Sequence, residues 1–232
     1  MNKFITIIAS FLIAFTFTKT VLADGHQVYG PYPITLKGYD GDATNSVKYT
    51  GQMARHALHD SLKALVKSGD VAKMMAYYNG EDGLEIIAPA SKGDFVIKQT
   101  MISEIGSGNL SGKMYKGAIP GWGNLTGPEA IEHMMTKAGE VEGGFDPNTG
   151  MDYTQLISKF AMGAVFYNQA VNSYLGSKME VGQKPNNKPY KDGAYYTGKE
   201  HSWDEAFGYW GSAAHALTLS AEQNYNVAKK KD

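Results

Sequence analysis

The chain has 232 residues, 22 of them Lys or Arg and 23 Asp or Glu, and no cysteine. So even a charge balance excludes the broad basic footprint that nucleic acid or anionic lipid would select. Without cysteine there is no disulfide, and no acyl anchor can be attached at a cleavage site.

The opening "MNKFITIIASFLIAFTFTKTVLADG" sets Lys3 ahead of an apolar run over residues 4–17, too short to span a bilayer comfortably. Val21 and Ala23 then take the small-residue positions before Asp24. This predicts a signal peptide over 1–23, cleaved after Ala23. The mature protein over 24–232 is expected to be periplasmic or secreted, a single helical domain with no membrane insertion after signal removal. Its length suits one substantial core.

Residues 24–51 are rich in Gly, Pro and Tyr and read as an extended lead-in. "QMARHALHDSLKALVKSG" repeats Met53, Ala57, Leu58, Leu62, Leu65 and Val66 at helical spacing, with Gly69 as the stop. Asp70 can cap a second helix, "VAKMMAYYNG", ending at Gly80 and antiparallel to the first. His56 and His59, three apart on the first helix with Asp60, are a second candidate metal-binding pair, but beside Leu58 and Leu62 they read as a solvated polar face. "KGDFVIKQTMISEIGSG" reads as a helix capped by Asp94, with a strand as the alternative. "GNLSGKMYKGAIPGWGNLTG" reads as a long loop. "GPEAIEHMMTKAG" is a short helix with Pro128 in its first turn, Glu129 and Glu132 at its positive end, and Gly139 at its stop.

In "DYTQLISKFAMGAVFYNQAVNSYLG", Tyr153, Ile157, Phe160, Ala164, Tyr167, Val171 and Tyr174 make one apolar stripe, widened by Leu156, Phe166 and Leu175. That predicts a helix central to a bundle. A polar loop leads to the last helix, and the fold class expected is all-α.

The last helix holds "EHSWDEAFGYWGSAAHA". At 100° per residue, Trp203, Phe207, Trp210, Ala214 and Leu217 fall on one side, which reads as an aromatic core face. His201, Glu205, Gly208, Ser212 and His215 fall on the other. Gly208 in mid-helix costs about 1 kcal/mol relative to alanine, so close approach of a helix or a ligand is expected there. Two readings of the polar set stay open. Ser202 and Glu205 have the spacing of a capping box, with Asp204 adding favourable charge and His201 just outside the helix. Alternatively, His201 and Glu205 reach one metal ion from adjacent turns, with Asp204 and His215 as further candidate ligands, as one imidazole with carboxylates suits iron or zinc. Arg55, the only arginine, offers a planar fork of donors and is a candidate ligand contact. There is no G-x-S-x-G elbow, no H-E-x-x-H and no phosphate loop.

Three blocks in order, "YTGQMAR", "DYTQLISKFAMGAVFYNQAVNSYLG" and "YYTGKEHSWDEAFGYWG", resemble the exported bacterial family called domain of unknown function 4856. The likeness runs from about Val47 to Gly211 and implies, more distantly, an imelysin-like helical bundle with long Gly/Pro-rich loops. Imelysin-like proteins carry G-x-H-x-x-E; here Gly198 and His201 are three apart, and His201 and Glu205 four. Family members usually continue well past this last block. The resemblance therefore implies that the chain is truncated, with an exposed apolar face left where further helices would pack. It also implies binding of iron or another divalent metal, or a role accessory to an outer-membrane uptake system. The alternatives are a structural or partner-docking module without a ligand site, or a metal-dependent hydrolase with Glu205 as base.

Overall fold

The computed structural model describes residues 34–44, 46–87, 99–211 and 219–223. The expected signal peptide with its cleavage position, the start of the helix capped by Asp94, and His215 lie outside the described residues.

Helix α1 (Thr50–Leu65) closes through a 3-10 turn onto Gly69, whose φ of 68° gives the left-handed stop. Asp70 then caps α2 (Val71–Asn79), its carboxylate accepting from the Lys73 amide at 2.9 Å. Of the uncertain middle, the described part is a single turn, α3 (Ile102–Ile105). The glycine-rich stretch after it is more ordered than its composition suggests. β1 (Ala118–Ile119) and β2 (Leu125–Thr126) form an antiparallel hairpin that delivers the chain to α4 (Gly127–Gly139). Thr126 and Glu129 cap α4 reciprocally, and Pro128 sits in the first turn. A second minimal hairpin, β3 (Phe145–Asp146) and β4 (Met151–Asp152), precedes α5 (Tyr153–Ala161). Two-residue strands are too short to show alternation, so neither hairpin is visible in the hydrophobic pattern. The all-α class holds: helices build the core, and both hairpins are surface connections.

Leu58, Leu62, Val66, Met74, Tyr77, Tyr78, Ile131, Met134, Met135 and Ile157 meet at the centre of one hydrophobic core. Each such side chain contributes about 1.5–3 kcal/mol by leaving water. Among the described residues no helix is long and apolar enough to cross a membrane.

The long helix departs from its predicted stripe. α5 runs without a break into a π-helical segment, Met162–Tyr174, closed by the Leu175 amide donating to the Ala170 carbonyl five residues back. The buried apolar positions Tyr153, Ile157, Ala161, Val165, Ala170 and Tyr174 are spaced four to five apart, with Phe166 beside Val165. Stripe members Tyr167 and Val171, chosen on a 3.6-residue period, are consequently turned outward, as is Leu175, at 60%, 37% and 43% exposure. The wider winding rotates the second half of the helix away from the face assigned by periodicity.

Candidate functional site

The last helix, α6 (Gly198–Trp210), starts earlier than a Ser202 cap requires. Thr197 is the cap: its hydroxyl accepts from the Glu200 amide at 3.2 Å, and Glu200 returns to the Thr197 amide at 2.7 Å. The capping reading therefore had the right motif at the wrong residues. Ser202 and Glu205 lie inside the helix, and the buried Ser202 hydroxyl donates to the Gly198 carbonyl at 3.0 Å. His201 is helical too, not outside the helix.

The faces of α6 are also reversed from the amphipathic reading. Trp203 and Trp210 are 50% and 72% exposed, whereas Ser202, Asp204, Ala206, Gly208 and Tyr209 are buried. The cause is Gly208. A Cβ there would stand 2.7 Å from the Cβ of Tyr49 and 2.9 Å from that of Gln52, so α6 crosses the start of α1 backbone-close through that glycine. The expectation of close approach at Gly208 is met by a helix.

On this inner face Glu205 is the hub. Its Oε1 accepts from Gln52 Nε2 at 2.9 Å and from the Tyr174 hydroxyl at 3.3 Å. Its Oε2 lies 3.4 Å from His201 Nε2. His201 is stacked on Tyr196, centroids 4.7 Å apart. Burial holds this imidazole below its ordinary pKa, and Lys178, Lys184 and Lys191 reinforce that against the pull of Glu205. The contact is thus between a carboxylate and a neutral ring. Lys178 rests over the Tyr174 ring, Nζ 3.2 Å from its centroid. Burial brings Lys178 down to about 8. Asp204 does not join this group, because its carboxylate accepts from the Lys48 amide. Arg55 donates Nε to the Asn109 carbonyl at 2.9 Å and Nη1 to the Gly51 carbonyl at 3.0 Å, clamping a loop to α1. Of the proposed ligand set, His201 and Glu205 come together, Asp204 and Arg55 are engaged elsewhere, and His215 is outside the described residues. Among the described residues no three His, Asp or Glu side chains are grouped to hold a metal ion.

The outer side carries a hollow. His56 and His59, expected on a solvated face, are turned inward because α5, the π-helical segment and α6 cover that side of α1. His56 Nε2 donates to the Gly208 carbonyl at 2.9 Å, and the ring stacks on Phe166 with centroids 4.3 Å apart. Burial lowers its pKa. His59 is 8% exposed, with Nδ1 3.2 Å from Asp60 Oδ1 and Nε2 3.1 Å from the Ser158 carbonyl. The Ser158 hydroxyl also lies 3.3 Å from Nε2. That order is the order of a nucleophilic triad. Ser158, however, is 2% exposed in mid-helix, where neighbouring amides belong to the helical ladder and cannot form an oxyanion hole. The contact fixes the ring and does not activate the hydroxyl.

These imidazoles, with Lys63, Lys159, Phe166, Tyr167 and Trp210, line a hollow of about 490 Å³. A second cleft of about 310 Å³, between Val171 and Leu175 on one side and Trp203 and Phe207 on the other, adjoins it. The two share Ala170, Val171 and Trp210. Sequence reasoning missed this trough because two of its walls come from residues assigned to the core. The signal that could have found it is the run of four- and five-residue spacings from Tyr153 to Tyr174.

Comparison with curated proteins and with solved structures gave no match. Residues 124–229 match the family described as Domain of unknown function (DUF4856), a span that holds the second and third of the three sequence blocks but not the first. The π-helical segment and α6 both lie inside that match, so it is this part of the chain that is similar to the family.

Proposed function

We propose that the protein is exported and binds a single-chain amphiphile, an acyl lipid with an anionic head. The observation that carries this is the shape and polarity of the trough. Its wider end offers Lys63 and Lys159, with Asp60 as the carboxylate there, already held against His59. Its narrower end is walled by Val171, Leu175, Trp203, Ala206 and Phe207 and offers no charged side chain. A carboxylate or phosphate suits the first end and an alkyl chain the second. The volumes fall in the range of small-molecule sites. Export is supported by the leader-like start, Lys3 followed by the apolar run.

Two of the three tryptophans, Trp203 and Trp210, line the narrower cleft, so binding reports itself. Titration of the mature chain with palmitate should shift tryptophan emission saturably, and Leu175→Glu should abolish the shift while preserving the helical circular dichroism. Unchanged emission together with no heat in calorimetry overturns the proposal.

A second reading, metal binding, is favoured only by the contact of His201 with Glu205 from adjacent turns. It needs further ligands, and Glu205 already accepts from Gln52 and Tyr174. Calorimetry with ferric and zinc ions at neutral pH tests it; absence of saturable heat removes it, and with it an iron-uptake role.

A further inference from the structure

In a protein surrounded by water, an amphipathic helix turns its apolar stripe to the core. α6 does the opposite. Trp203, Phe207 and Trp210, at i, i+4 and i+7, lie on the outer side, with the two tryptophans half or more exposed. Beside them the π-helical segment presents Tyr167 and Val171, Leu175 follows at its end, and Met162 at its start is 46% exposed. The two adjoining hollows share residues of both elements, so these side chains form one continuous face. A contiguous apolar face of this kind marks a contact with something other than water.

We infer that this face is where the protein rests on a lipid bilayer. Three features favour that occupant. Trp and Tyr, each an apolar ring with a polar tip, are the side chains that settle at the headgroup level, and Trp203, Trp210 and Tyr167 are the most exposed aromatics of the face. Lys63 and Lys159 stand at one margin, where Asp60 is turned to His59, so the margin complements anionic headgroups. Both hollows open on this face, so an acyl chain could pass between bilayer and trough without crossing water. The balanced overall charge means that apolar insertion, with lysines only at the edge, supplies the attachment. The inference rests on the exposed rings and is separable from ligand binding.

The experiment is flotation of the mature chain with phosphatidylethanolamine–phosphatidylglycerol vesicles and, separately, with phosphatidylcholine vesicles, with tryptophan quenching by bromine-labelled acyl chains. Co-flotation, quenching, and a preference for the anionic vesicles that Lys63→Glu with Lys159→Glu removes are expected. Trp203→Ser with Trp210→Ser should lower partition about tenfold or more, since both rings carry the insertion. These positions are exposed, and the circular dichroism and the remaining Trp122 report that the fold is intact. Absence of flotation, flotation indifferent to the tryptophan changes, or a lipid-free dimer that shields the tryptophans overturns the inference. Palmitate binding without vesicle binding sinks this inference alone; vesicle binding without palmitate binding sinks the ligand reading alone.

Discussion

Gly208 lies against Gln52 so closely that an added Cβ would stand 2.9 Å from the Gln52 Cβ. Real Cβ atoms do not approach so near, and the neighbour is the root of a side chain on a packed helix. Gly208→Ala should therefore destabilise by about 1–3 kcal/mol through overpacking, even though alanine gains about 1 kcal/mol in helix propensity. A urea midpoint that rises in this variant would show that α6 does not cross α1 at Gly208.

The capping assignment separates two hydroxyls. Thr197→Ala should lose about 1 kcal/mol, because two backbone amides depend on the Thr197–Glu200 pair. Ser202→Ala should cost clearly less, as its hydroxyl only supplements the carbonyl of Gly198 within the helix. Thermal unfolding of both variants gives the order, and the reverse order would restore the later helix start.

Arg55→Lys tests the clamp. Lysine keeps the charge but cannot reach the Asn109 and Gly51 carbonyls with two donors in one plane. A loss of about 1–2 kcal/mol is expected, together with faster amide exchange in residues 106–109. If stability is unchanged and ligand binding falls instead, Arg55 belongs to a site.

Burial holds the pKa of both His56 and His201 below the ordinary 6.5. Below that pH the unfolded chain binds protons before the folded one does, so stability falls as pH drops through and below about 6.5. His56→Gln retains an amide donor for the Gly208 carbonyl and should reduce this slope. Chemical unfolding at about pH 7 and pH 5 measures it; equal slopes in both proteins would place the His56 ring in water.

Lys178 acts in the alkaline range. Its folded pKa is brought down from 10.5 to about 8, by burial first, with Lys113 and Lys184 opposing the help from Glu205. Between these values the unfolded chain holds the proton and the folded chain has released it, so stability gains as pH rises through that window. Lys178→Met should remove that gain. The difference between the two proteins isolates Lys178 from the tyrosines that titrate nearby.

The helices were legible because their signals are local. Asp70, Pro128 with Glu129, Gly69 and Gly80 act on the nearest turn of backbone and need no partner from elsewhere in the chain. The hairpins were not legible, since two residue pairs make no pattern. His56 and His59 were misread for another reason: a polar side chain next to leucines gives no hint that three more elements will cover it.

Which side of each helix faces inward was decided only by tertiary structure. A period of 3.6 places Tyr167 and Val171 with Tyr153, but π winding carries them outward. Aromatic bulk at Trp203 and Trp210 points to a core face, but the inner side of α6 is set by the small residue that lets two backbones approach. The local code settles where a rod begins and ends. Its rotation about its own axis is fixed by steric fit with neighbours distant in sequence, and the trough exists because that fit turned the aromatic side outward.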